Sequence, residues 1–234
     1  GIKPERAEVL AGGVAALSAV FETFRIEEMK PAKGALRAGL LYDLLGRRES
    51  HDIRVATVER WQRRFGVDDA QSERVAATAL RLFQSVQPAA DDESAKCLEW
   101  AARLHEIGFA ISHSDYHKHS AYLVLHGDLA GFSTSDQERM ADLVLGQRGN
   151  LRKVAPVLEQ PERAAQLLAL RLAVVIHHAR RVVELPKWSL RFNRSIELGF
   201  ERGWIEQHPL TRHLLDEEGA QWERVGVRFV VKEI

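Results

Sequence analysis

The chain has 234 residues, 45% apolar and 28% charged, and its 33 basic and 33 acidic side chains cancel. That length supports one large core or two smaller domains, and the composition is that of an ordinary globular protein rather than a disordered or fibrous one. No run reaches the ~20 apolar residues of a membrane span, the start GIKPERAEVLAGG lacks the regions of a signal peptide, and Cys97 stands alone, which excludes an internal disulfide and sets the expectation of a reducing, cytoplasmic compartment.

Residues 4–24 predict a helix. Pro4 suits the first turn, and Val9, Leu10, Val14, Leu17, Phe21 and Phe24 repeat at helical spacing. Gly12-Gly13 interrupts that pattern at about 1 kcal/mol per glycine relative to alanine. The pair suggests close approach of a ligand or of another helix. Pro31 and Gly34 mark a break, and Ala35–Leu45 predicts a second helix closed by Gly46 and followed by Arg47-Arg48.

Residues 50–66 predict the next helix, with Gly66 as C-cap. Asp68 or Asp69 caps the one after it, which Pro88 ends. Glu93–Ile107 predicts a further helix closed by Gly108. His105 lies on its apolar stripe beside Glu106. His113, His117 and His119, with Lys118 among them, lead into another helix. Imidazole and ammonium groups both donate hydrogen bonds, so this cluster suits phosphate oxygens, or else fixes its loop. Gly131 marks a turn. Ser133 or Ser135 caps a helix to Leu145, with Ser135 and Glu138 spaced as a capping box. Gln147-Arg148 follows, and Arg148 is a candidate anion contact. Asn150–Gln160 predicts a loop.

Pro161 opens the most apolar helix, predicted to run to about Val183 and to be buried on nearly all sides. His177, His178, Arg180 and Arg181 cluster at its C-terminal end, where cations complement the helix dipole and form a patch for a phosphate chain. Beyond Pro186 the texture changes. Trp188–Phe192 and Val225–Val231 alternate as strands do, with Gly226 as a bulge, and Ile205–Glu217 between them predicts a helix.

Charge is unevenly spread. Residues 88–147 carry 10 acidic and 4 basic side chains, a balance of −6; residues 148–194 carry 10 basic and 3 acidic, a balance of +7. The basic segment attracts a polyanion by its summed field, or is one solvated face neutralising its neighbour.

The pair ERAEVLAGGVAALSAVF and GALRAGLLYDLLGR, and later LHEIG, ISH, YHKHS and the LAGFS block, resemble the exopolyphosphatase/guanosine pentaphosphate phosphatase (Ppx/GppA) family over nearly the whole chain. Ala38 stands where the family commonly has Glu. The resemblance implies a mainly α fold in three parts. Residues 1–48 are terminal helices of an actin-like catalytic half, 49–184 an HD-like helical domain, and 185–234 a small α+β module. It implies a parent enzyme that removes terminal phosphate from inorganic polyphosphate, or the 5′ phosphate of guanosine pentaphosphate, with Mg²⁺ as cofactor. It further implies that the actin-like N-terminal half lies outside this chain, and that the protein forms a homodimer without membrane or nucleic-acid partners.

No catalytic residue of that half falls in these residues. The chain alone is expected to be catalytically silent and to hold and orient the polyanion. The polyphosphate-binding candidates are His113, His117, Lys118, His119, Arg148, Arg180 and Arg181. Arg6, Gly12 and Gly13 are candidates for a phosphate or ligand edge on the core side. In HD-type hydrolases a metal is held by an earlier histidine, a His-Asp pair and a later aspartate. By resemblance these fall near Gln71, at His105-Glu106 and near Val174. Only two of about four ligands remain, so no metal is expected here; an autonomous HD-type metal phosphohydrolase and a purely non-enzymatic interaction module are the alternative readings.

Overall fold

The structure, a computed structural model, describes residues 4–29 and 52–234. The chain divides into two compact units, 1–48 and 49–234, and each is described by itself. In the first, helix α1 spans Pro4–Phe24. Val9, Leu10, Val14, Leu17, Val20 and Phe24 are exposed on it. Nothing among the described residues lies within 4 Å of a Cβ built on Gly12 or Gly13. The Arg6 side chain and the helix expected at Ala35–Leu45 lie outside the described residues.

In the second unit each helix starts where the sequence supplies a cap. Helix α2, Ile53–Phe65, begins with Asp52 accepting from the Arg54 backbone and ends at Gly66, whose φ of 64° is left-handed. Helix α3, Asp69–Val86, begins with Asp68 accepting from Gln71 N at 3.0 Å. Helix α4, Asp92–Leu104, begins with Asp91 accepting from Ser94 N at 2.7 Å. It stops short of the predicted Ile107. The His105 carbonyl is taken from outside the helix, by the Ser120 hydroxyl at 2.9 Å and the Gln147 amide at 2.8 Å, and a 3₁₀ turn follows at Ile107–Ala110.

Helices α5, Tyr116–His126, and α6, Thr134–Gly146, pack on each other. The capping box of α6 is Ser133 with Asp136, not Ser135 with Glu138 as the spacing suggested. The segment expected to be a loop forms a 3₁₀ turn, Leu151–Val154, started by Asn150, and the short helix α7, Ala155–Leu158.

Helix α8, Pro161–Ile176, is the buried centre and contacts α3 and α6. It ends seven residues before the expected Val183. The Gln71 amide takes the His177 carbonyl at 2.8 Å, and Arg180 adopts a φ of 54°.

Strands β1, Trp188–Phe192, and β2, Ser195–Phe200, pair antiparallel around a short turn. Strand β3, Arg228–Glu233, pairs parallel to β2. Parallel neighbours need a crossover, and helix α9, Pro209–Glu223, provides it. Strand β2 was missing from the sequence reading, and α9 sits later than expected because Pro209 fixes its first turn. Gly226 is a positive-φ turn after α9, not a bulge. Helix α9 also packs against α8, so the α+β segment joins the same core as the helices before it. The fold is mainly α with a small α+β segment. No helix among the described residues is long and apolar enough to cross a membrane.

Candidate functional site

The corner between α4 and α5 places the first site residues. A Cβ on Gly108 would lie 2.1 Å from the Tyr116 carbonyl and 2.6 Å from the Ser120 backbone nitrogen. Only glycine lets the corner close onto α5. Gly108 N donates to the Ser120 hydroxyl at 2.8 Å. This holds His105 and Glu106, both buried, against the end of α8.

A cleft of about 670 Å³ opens there. Gln71 from α3, His105 and Glu106 from the corner, and Val174 from α8 all line it. These are the four positions where the HD-type ligand set was expected. His105 Nδ1 donates to the Ala102 carbonyl at 2.5 Å, which fixes the tautomer. Burial pushes its pKa below the usual imidazole value, against the opposing pull of Glu106. The donor set does not fit a hydrolytic metal. An amide and an isopropyl group stand in place of two ligands, and no three His, Cys, Asp or Glu side chains converge among the described residues.

Two arginine–glutamate pairs cross the cleft. Arg180 donates to Glu106 at 2.6 Å and reaches Asp68 at 3.4 Å. Its side chain is 43% exposed and Glu106 is 8% exposed. Arg171 is buried and donates to both oxygens of Glu218, at 2.5 and 2.7 Å. It also donates to the carbonyls of Gly146 and Gly149 at 2.5 and 3.1 Å. The Trp222 indole donates to Glu218 at 2.7 Å. Arg148, exposed, lies over the Tyr116 ring at 5.3 Å, and Tyr116 stacks on Phe109 at 4.1 Å.

The structure thus brings Arg148 and Arg180 to one cleft. Of the other candidates, Arg181 lines a second cleft with His178, Trp204 and His208. Lys118 is exposed and pairs with Asp115 at 3.0 Å. His113 is exposed with its ring 4.9 Å from Phe109, and His119 is half-buried. His117 is buried and its Nδ1 has no partner among the described residues. Burial, then Lys153 and Arg148, push its pKa down to about 4. Lys153 is itself lowered to about 8, by burial and neighbouring cations, and donates to the Arg148 carbonyl at 2.6 Å.

Sequence reasoning missed the wall supplied by α9, where Glu217, Glu218, Gln221 and Arg224 line the cleft. It also missed the buried Arg54, which is saturated by Asp52 and Glu93 and stacked 4.4 Å from the Trp100 ring. An arginine in a helix's first turn next to a capping aspartate was the only local signal.

The family model described as Ppx/GppA phosphatase, domain III, matches residues 53–219. That of the Ppx/GppA phosphatase family matches residues 1–48. A guanosine-5′-triphosphate,3′-diphosphate pyrophosphatase from Pseudoalteromonas translucida (strain TAC 125) is 34% identical over 238 residues. The match covers 99% of this chain and 48% of that protein, so the chain spans about half the length of the curated relative. With its helical unit matched nearly from end to end, the chain belongs to the Ppx/GppA phosphatase family.

Proposed function

We propose that this chain grips and orients a polyanion for a Ppx/GppA-type phosphohydrolase. The parent enzyme, on this reading, releases terminal phosphate from inorganic polyphosphate or the 5′ phosphate of guanosine pentaphosphate. The observation that carries the reading is that Arg148 and Arg180, at opposite ends of the stretch holding α7 and α8, line one cleft. Guanidinium groups bind phosphate oxygens through paired N–H donors, and several modest contacts along one chain add up. Family membership and the name of the relative support the class of reaction.

The chemistry itself is attack of water on a phosphoryl group, which needs charge neutralisation and positioning above all. We assign that step, and the Mg²⁺ that assists it, to an actin-like half that these residues do not supply. A homodimer and a cytoplasmic setting complete the proposal. Polyphosphate retention by the chain, measured with and without Arg148→Ala and Arg180→Ala together, tests it. Loss of retention in the double variant is expected; unchanged retention overturns the cleft as the polyanion site. Metal-dependent polyphosphate hydrolysis by the chain alone would overturn the division of labour.

A further inference from the structure

Lys153 stands where a negative charge is better placed than an ammonium. It lies in the 3₁₀ turn Leu151–Val154, half-buried, and its Nζ donates to the Arg148 carbonyl at 2.6 Å. It forms no ion pair among the described residues. The one carboxylate acting on it, Asp115, is held by Lys118 at 3.0 Å. The other charged groups acting on it are cations: Arg171 from α8, Lys118 from α5 and Arg148 just beyond α6. His117, also from α5, is buried and neutral, through burial first and then through Lys153 and Arg148. Burial, followed by Arg171, Lys118 and Arg148, brings the Lys153 amine down to about 8, with Asp115 alone opposing. A sizeable share of this side chain is therefore a free, nucleophilic amine near neutral pH.

There is room beside that amine. A Cβ built on Gly149 would meet only Lys153 Nζ, at 3.8 Å, apart from its own chain neighbours. That open side leaves space for a small planar group on Nζ.

Carbon dioxide answers these features together. It reacts with free amines and not with ammonium groups. The Nζ lone pair attacks the carbon, an N–C bond forms, and one C=O electron pair moves onto oxygen. The nitrogen then gives up a proton to water. The product, a carbamate, carries a negative charge where the ammonium carried a positive one. Cations that disfavour the ammonium favour the carbamate through the same Coulomb interaction. Arg171 and Lys118 each hold a carboxylate of their own. Arg148 is exposed and has no ion pair among the described residues, so its guanidinium is the group left to pair with the carbamate oxygens. An inorganic anion would satisfy Arg148 but leave the free amine unused.

We propose that Lys153 is a carbamate-forming site: it takes up carbon dioxide reversibly, and Arg148 holds the product. This site stands apart from the polyanion reading and holds whether or not the cleft binds phosphate.

The test is to hold the 234-residue chain in ¹³C-labelled bicarbonate at about pH 8, near the midpoint of the amine, trap carbamates with triethyloxonium, and map the trapped sites by mass spectrometry. At least about tenfold more trapped carbamate is expected on Lys153 than on Lys96, Lys118 or Lys232. Arg148→Ala is expected to lower the Lys153 yield at least about threefold, and added salt to lower it progressively. Acetylation by an uncharged N-hydroxysuccinimide ester, run in parallel, reads the freedom of each amine. Trapping on Lys153 no greater than on the other three lysines overturns the site. So does strong acetylation of Lys153 without trapping, which shows a free amine and no stabilised carbamate. Trapping that ignores both Arg148→Ala and salt overturns Arg148 as the holder. A thermal melt shows whether Arg148→Ala folds; should it fail, the salt series on the unsubstituted chain decides.

Discussion

Arg171 with Glu218 and Arg180 with Glu106 are the same chemical pair, set on the same cleft, and finished to different degrees. Arg171 spends its donors on two carboxylate oxygens and two carbonyls, and Glu218 takes an indole N–H besides. Four of its five guanidinium N–H groups are used in this way. The Arg180 side chain is 43% exposed, and its partner Glu106 keeps one buried oxygen without a partner among the described residues. The contrast teaches that charge alone does not mark a binding site. The saturated pair holds three segments together, while the unfinished one retains capacity for something that arrives.

The sharpest way to break the comparison is Arg171→Met. Removing one partner of a buried pair strands the other, at about 3–5 kcal/mol. Chemical denaturation is expected to show that loss. Arg171→Met combined with Glu218→Leu is expected to recover most of it, since no charge is then stranded. Arg180→Met, on the open side, is expected to cost clearly less than Arg171→Met. Equal losses would mean the two pairs do the same job.

Acid probes the packing behind both pairs. His117 and His177 are buried, each with an Nδ1 that has no partner among the described residues, and each has its pKa pushed down to about 4, chiefly by burial. Both are neutral in the fold, whereas the unfolded chain takes up protons below about 6.5. Stability is therefore full above about pH 6.5 and falls as the pH drops toward 4. At about 1.4 kcal/mol per tenfold difference in proton affinity, the shift from 6.5 to about 4 is worth on the order of 3 kcal/mol for each histidine. Melting temperatures across that range check this, and His177→Gln is expected to flatten the slope.

Smaller effects sharpen the picture. Gly108→Ala sets a methyl against two backbone positions of α5 and is expected to cost about 2 kcal/mol by overpacking. Its melt should drop while the unfinished pair loses its alignment. Arg148→Ala, at an exposed position, is expected to leave the melt unchanged and weaken polyphosphate binding about tenfold at low salt, less at high salt. Lys118→Ala is expected to change neither measurably. Its ammonium is already held by Asp115, and it does not line the cleft.

Local chemistry was readable where its partners were local. Gly66 as a C-cap and Asp68 as an N-cap follow from neighbours within a few residues, and both stand in the structure. The end of α8 was not readable. The His177 carbonyl that closes it is bonded by Gln71, 106 residues earlier. Strand β2 was missed because Ser195–Phe200 is short, contains Gly199, and gains its meaning only between two partners. For the cleft, Arg148 and Arg180 stood out as cations near family motifs. Glu217, Glu218 and Arg224 did not, because a charged helix face reads as solvated until the wall opposite it is known.

The clasp around Arg171 also constrains how descendants of this sequence can drift. Losing Glu218 first leaves a guanidinium enclosed with two carbonyls for company; losing Arg171 first leaves a carboxylate facing a single indole. Either intermediate is less fit than both the starting pair and an all-apolar replacement. The two positions should therefore change together or not at all, and an alignment of close kin would show them inherited as a unit.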